Sequence, residues 1–143
     1  MAAARVVHDD LGYLLGQATH AFSRDFDAQL RAAGISPLEW RVLATLHAAG
    51  PLAVSQLAQQ VIAKQPTVTK LVQRMSEQGW LRLQADPVDQ RRTLVDATGA
   101  GKRLVRPLLV RARAHENAQL RRLAASEQAA LKKLLAKLAH DLA

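Results

Sequence analysis

Asp89, Arg91 and Arg92 stand together within the stretch DPVDQRRTLVDAT, residues 86–98. An aspartate two positions before an arginine can hold it by a charged hydrogen bond, and free guanidiniums bind anions, phosphates above all, in a bidentate way. A second set lies upstream in QPTVTKLVQRMSEQG. There Thr67, Thr69, Lys70 and Gln73 recur at helical spacing, and no acid interrupts them. Lysine can bond guanine, glutamine can bond adenine, and a threonine methyl can touch thymine. Lys64, Gln65 and Arg74 flank this set where phosphates would lie. Neither Lys64 nor Gln65 is a favoured N-cap, so the first amides of this helix are left for an anion. Lys102 and Arg103 follow just past the charged stretch. All of this is recognition chemistry. There is no cysteine, so thiolate metal sites, cysteine nucleophiles and disulfides are excluded. The five histidines, at 8, 20, 47, 115 and 140, form no close pair, and a zinc site is not expected. No Ser-His-Asp order or glycine-rich phosphate loop stands out. The expectation is a protein without catalytic activity, metal or cofactor.

The chain has 143 residues, 49% of them hydrophobic, enough for one domain with a true core. Its formal charge is +8, from 20 Lys+Arg against 12 Asp+Glu. Such a balance suits a polyanionic partner. The charge is uneven: residues 1–63 hold four bases and five acids, and residues 101–143 hold ten bases and three acids. No apolar run reaches the roughly 20 residues that span a bilayer. No apolar signal core follows the N-terminus, so a cytoplasmic protein without a membrane partner is expected.

The elements that must position these residues can be read from period and punctuation. Leu11, Leu14, Leu15, Ala18, Phe22, Phe26 and Leu30 give a helix over about 8–33, stopped by Gly34. Ser36, Pro37 and Glu39 form a capping box that starts a second helix, which ends before Gly50-Pro51. Ser55 is read as the cap of a third, short helix reaching about Val61. Pro66 starts a fourth, with Val68, Leu71, Val72 and Met75 on its apolar side and Gly79 at its end. The period then becomes two: Leu81, Leu83 and Ala85, then Thr93, Val95 and Ala97, joined by the six residues DPVDQR, predict an antiparallel hairpin. Thr98 caps a fifth helix over about 99–124, in which Pro107 predicts a kink. Ser126 is read as the cap of a sixth, striped with Leu131, Leu134, Leu135, Leu138 and Leu142. A short helix, a turn, a second helix and a hairpin make a winged helix-turn-helix. The fold class is therefore mainly α with a small β-hairpin wing. The outer helices carry apolar stripes wider than so small a lobe can cover, which calls for a second copy of the chain.

With these residues in view, the chain resembles the MarR family of bacterial transcriptional regulators over nearly its whole length. The family pattern Asp-x-Arg-x-x-x-Val-x-Leu-Thr falls on Asp89, Arg91, Val95, Ala97 and Thr98, and Gly101 matches the glycine that often follows. Ala97 stands where the family has leucine. QPTVTKLVQRMSEQGWL is similar to the family's recognition helix running into its wing. The resemblance implies one domain over 1–143, with dimerisation helices over 8–33 and 104–142 and a winged helix-turn-helix lobe over 36–98. It implies double-stranded DNA as partner, with Arg91 entering a minor groove and Asp89 holding it extended. A homodimeric repressor on a pseudo-palindromic operator would read half-sites about 10 bp apart. Many family members also bind a small aromatic carboxylate or phenolic effector between the lobes. Tyr13, His20, Trp40, Arg41 and His47 are the candidates here. Two other readings stay open: a sequence-tolerant architectural DNA binder without an effector, and a basic helical module for membrane surfaces or protein partners.

Overall fold

The computed structural model describes residues 9–140. The order is α1 (Leu11–Ala32), α2 (Pro37–Ala49), β1 (Leu52–Ala53), α3 (Val54–Gln60), α4 (Gln65–Glu77), β2 (Leu81–Ala85), β3 (Thr93–Ala97), α5 (Gly99–Leu120) and α6 (Ala125–Ala139). The architecture is thus mainly helical with one small antiparallel sheet, a winged helix-turn-helix flanked by long helices. The ends of the expected outer segments, residue 8 and residues 141–142, lie outside the described residues.

The capping box forms as the sequence predicts. The Glu39 amide donates to Ser36 Oγ at 3.1 Å, and the Ser36 amide donates to Glu39 Oε1 at 2.9 Å. Two other expected caps move. Helix α3 starts on Ala53, whose amide donates to Gln56 Oε1 at 3.0 Å, so Ser55 lies inside the first turn. Helix α6 starts on Ala124, whose amide donates to Glu127 Oε1 at 2.8 Å, so Ser126 does not cap it. In both helices the side chain three positions on binds the cap residue's amide, and an alanine suffices at the cap itself. Helix α1 takes Asp10 as its cap, which accepts from the Gly12 amide at 2.8 Å. Helix α5 continues through Pro107, which lies inside it as the sequence predicts. The proline is exposed.

The sheet order is β1-β3-β2, all antiparallel. Leu81 faces Ala97, Leu83 faces Val95 and Ala85 faces Thr93, the alternation read from the sequence. The two-residue β1 was not foreseen. It pairs Leu52 with Val95 and anchors the wing to the start of α3. Gly79 closes α4 at φ 84°, a left-handed value that suits glycine. The Gly79 and Trp80 amides return to Ser76 and Met75 at 3.0 Å each, which turns the chain sharply into β2.

One buried cluster holds the lobe. It includes Leu30, Ile35, Val42, Leu43, Leu46, Leu57, Val68, Val72, Met75, Leu81, Val95 and Val105. Thus the end of α1 and the first half of α5 share the core of the DNA-binding lobe. Helix α6 contributes no buried residue. Its leucines and those at the start of α1 instead line an open apolar cleft of about 690 Å³.

Ile62, in the turn between α3 and α4, has φ 55° and is 86% exposed. A β-branched residue in this region costs about 1–2 kcal/mol. Glycine would relieve the strain but gains entropy in the unfolded chain, an offset of about 0.4–1 kcal/mol. Ile62→Gly is expected to raise stability by up to about 1 kcal/mol, read as a higher urea midpoint at unchanged slope. A lower midpoint would show that Ile62 carries no net strain.

Candidate nucleic-acid interface

Helix α4 buries Val68, Leu71, Val72 and Met75 on one side. Gln65, Thr67, Thr69, Lys70, Gln73 and Arg74 are all exposed on the other, as is Lys64 before it. Lys64 is the N-cap and makes no side-chain cap bond, and the first turn has no acid. The amides there, with the positive end of the helix dipole, face solvent. Thr69 Oγ1 donates to the Gln65 carbonyl at 2.9 Å. Its hydrogen is engaged within the helix, which leaves the methyl group and lone pairs for a partner.

The wing tip is tied by local bonds. The Val88 amide donates to Asp86 Oδ1 at 2.9 Å, and the Asp86 and Arg92 amides donate to the Arg92 and Asp89 carbonyls at 3.0 Å each. The connector is residues 86–92, so Arg92 belongs to the tip and not, as its sequence position suggests, to β3. Asp89 Oδ1 accepts both the Arg91 amide at 3.1 Å and Arg91 Nε at 3.2 Å. The Arg91 side chain is nonetheless 92% exposed. An ion pair so exposed stabilises the fold by only about 0–1 kcal/mol. What it provides is orientation: one carboxylate fixes both the backbone and the guanidinium of Arg91. Across the ladder, Arg82 pairs with Asp96 at 3.6 Å, a bracing contact the sequence reading missed.

Helix and wing meet. Ser55, Gln65, Thr69, Arg91, Arg92 and Thr93 line one polar depression of about 220 Å³. Ser55, the uncapped start of α4 and the two wing arginines thus share one polar depression. Ser55 enters this site because it is not a cap. Lys102 and Arg103 are exposed at the start of α5. A Cβ added at Gly99 would lie 3.3 Å from an Arg103 guanidinium nitrogen, so this side chain folds back over the first turn.

The effector candidates separate. Trp40 and Arg41 line a cavity of about 390 Å³ between α1, α2 and α5. Tyr13, His20 and His47 do not line it. His47 lies at a separate depression with Arg113 and Asn117. The cavity adds residues that the sequence reading left out: Phe22, Phe26, Asp27 and His115. Phe26 meets Trp40 edge-on at 5.2 Å and stacks on His115 at 5.8 Å. His115 Nε2 also contacts the Phe22 carbonyl. A carbonyl only accepts, so Nε2 carries the proton. Phe22 and Phe26 show only as an apolar stripe in sequence, and nothing local marks His115.

Among the described residues no group of three His, Cys, Asp or Glu could hold a metal ion, and no helix is long and apolar enough to cross a membrane.

An exposed helix with no acid before Glu77, in front of a braced hairpin with an outward arginine, defines a winged helix-turn-helix DNA-binding regulator. A sequence model of the MarR family matches residues 33–92. The HTH-type transcriptional repressor IacR of Pseudomonas putida is 32% identical over 89 residues, which are 62% of this chain and 53% of that protein. The match thus spans about half the relative's length. Among solved structures, the MarR family transcriptional regulator SPO1453 from Silicibacter pomeroyi DSS-3 aligns with TM-score 0.85 at 33% identity, over 96% of this chain and 98% of that one. NadR, solved in complex with 4-hydroxyphenylacetate, aligns with TM-score 0.84 at 28% identity, over 92% and 94%. The chain belongs to the MarR family of transcriptional regulators.

Proposed function

We infer that this regulator is a homodimeric repressor of a pseudo-palindromic operator. The observation that carries this reading is the shared depression at which α4 meets the wing arginines. Each subunit puts Thr67, Thr69, Lys70 and Gln73 against base edges in a major groove and Arg91 into the flanking minor groove. Lys64, Gln65, Arg74, Arg92, Lys102 and Arg103 hold phosphates, with Asp89 positioning Arg91. Two copies join through α1 and α6, whose exposed leucines need a cover, and half-sites then lie about one turn, 10 bp, apart. The repressor name of the relative supports the sign of control. A small aromatic carboxylate or phenolic acid entering the Trp40–Arg41 cavity releases the DNA. The complex of NadR with 4-hydroxyphenylacetate supports that ligand class.

The test begins with DNA selected from genomic fragments by the protein. Arg91→Ala is expected to weaken binding to the selected site at least about tenfold at 150 mM salt, within the 1–3 kcal/mol typical of one specific contact. The slope of log K against log salt should shrink by about 1. Folding should stay within about 0.5 kcal/mol, because the side chain is solvated. Unchanged affinity, or a large loss of Tm, would remove Arg91 from the interface. A specificity ratio near unity for the unaltered protein would replace the repressor by an architectural binder.

A further inference from the structure

We propose that the cavity between α1, α2 and α5 selects aromatic carboxylates that carry a second hydrogen-bond donor, a ring hydroxyl or amine, and that Asp27 reads this donor. The proposal rests on the effector reading above and narrows it. Arg41 and Asp27 both line the cavity, on α2 and α1 respectively. Among the described residues neither makes an ion pair or side-chain hydrogen bond, and they do not pair with each other. The cavity is therefore lined by two charges of opposite sign on different walls, the exposed Arg41 and the half-buried Asp27, neither with a protein partner. Arg41 takes a carboxylate. A simple apolar acid would then leave the half-buried Asp27 carboxylate desolvated and unpartnered, which is unfavourable.

Ser23 points to the same chemistry. It lies four residues before Asp27, one helical turn away and also on the cavity wall. Its hydroxyl donates to the Thr19 carbonyl at 2.9 Å, so its hydrogen is engaged and only its lone pairs face a ligand. The α1 wall thus offers acceptors and the α2 wall a cation. Between them Phe22, Phe26, Trp40 and His115 supply ring faces and edges, and about 390 Å³ suits a single-ring ligand. A site whose polar groups accept from a ligand rejects the analogue that lacks the donor, because those groups are left unpaired.

Calorimetric titration of the intact dimer with benzoate, 3- and 4-hydroxybenzoate and 4-aminobenzoate tests this. The best donor-bearing acid is expected to bind at least about tenfold tighter than benzoate. Asp27→Ala should reduce this preference to about twofold or less, with benzoate binding tighter because no carboxylate is left unpartnered. Asp27→Asn keeps the volume and guards against a folding defect in the alanine variant, and it should lower the preference at least about threefold. If benzoate binds and no donor-bearing acid binds better, or if the preference survives both variants, the role of Asp27 is overturned while the effector reading stands. If no aromatic acid binds up to millimolar levels, the effector reading falls, and this proposal with it.

Discussion

Gly101→Ala is expected to destabilise the protein by about 2 kcal/mol or more, with a Tm lower by roughly 5–10 °C. A Cβ at this position would lie 2.2 Å from the Trp80 carbonyl oxygen, 3.2 Å from its carbon and 3.3 Å from Leu43 Cδ2. The oxygen has little room to retreat. It accepts the Thr98 amide at 3.0 Å, and Thr98 Oγ1 donates to the neighbouring Gly79 carbonyl at 2.6 Å. Overpacking of this kind costs about 1–3 kcal/mol, occasionally more. It outweighs the gain of about 0.5–1 kcal/mol from placing alanine in a helix. Operator binding should fall as well, because the clash lies where the recognition helix hands over to the wing. A thermal melt decides. An unchanged or raised Tm would mean that α5 and the Trp80 turn are packed more loosely than the structure shows.

Replacing Leu134 and Leu138 together by aspartate is expected to abolish both dimerisation and DNA binding at micromolar concentration. Leu134 and Leu138 are each 58% exposed, and Leu131 and Leu135 are each 39% exposed. On α1, Leu11, Leu14 and Leu15 are 57%, 49% and 38% exposed. Full burial of a leucine is worth about 1.5–3 kcal/mol, so these two stripes hold more driving force than a monomer uses. Carboxylates placed there meet a cleft lined almost wholly by leucines, with Lys137 its one charged residue. The lobe should survive, since its core takes nothing from α6. Sedimentation gives the assembly state and circular dichroism the fold. A double variant that remains dimeric, or an unaltered chain that sediments as a monomer, would defeat the proposed assembly.

Much of this molecule was legible because its signals are local. Ser36 and Glu39 announce α2 within four residues, and Gly79 announces the end of α4. The switch from Val68, Leu71 and Val72 to Leu81, Leu83 and Ala85 marks helix against strand. Asp89 and Arg91 are close in sequence, so their pairing needed no tertiary knowledge. What escaped was non-local or too short to have a period. Strand β1 has two residues and exists only because Val95 and Leu94 lie beside it. Ala53 and Ala124 cap helices through the Gln56 and Glu127 side chains, so the nearby hydroxyls of Ser55 and Ser126 mark these starts falsely. His115 reaches Phe22 across 93 residues of sequence, a distance that no pattern bridges. Trp40 and Arg41, which line the cavity, stand out in sequence because an aromatic beside a cation is itself a local pair. Asp27 does not, because its meaning depends on the helix opposite.

The carbonyl of Trp80 joins three parts of the lobe at one atom. It sits at the turn out of α4, accepts the amide at the far root of the wing and lies against the first turn of α5. In mechanical terms these parts are one stiff body, since none can shift without losing that bond or pressing atoms already in contact. The compliance is left to α5. Pro107 donates no amide to the carbonyl of Arg103, so α5 lacks one backbone bond there and bends most easily at that turn. His115 lies eight residues past Pro107, about 12 Å along the axis, and a bend of about 5° there displaces it by about 1 Å. Helix α5 thus has two unlike halves: its first turn is pressed against that stiff body, and its second half reaches the cavity through Ala112 and His115.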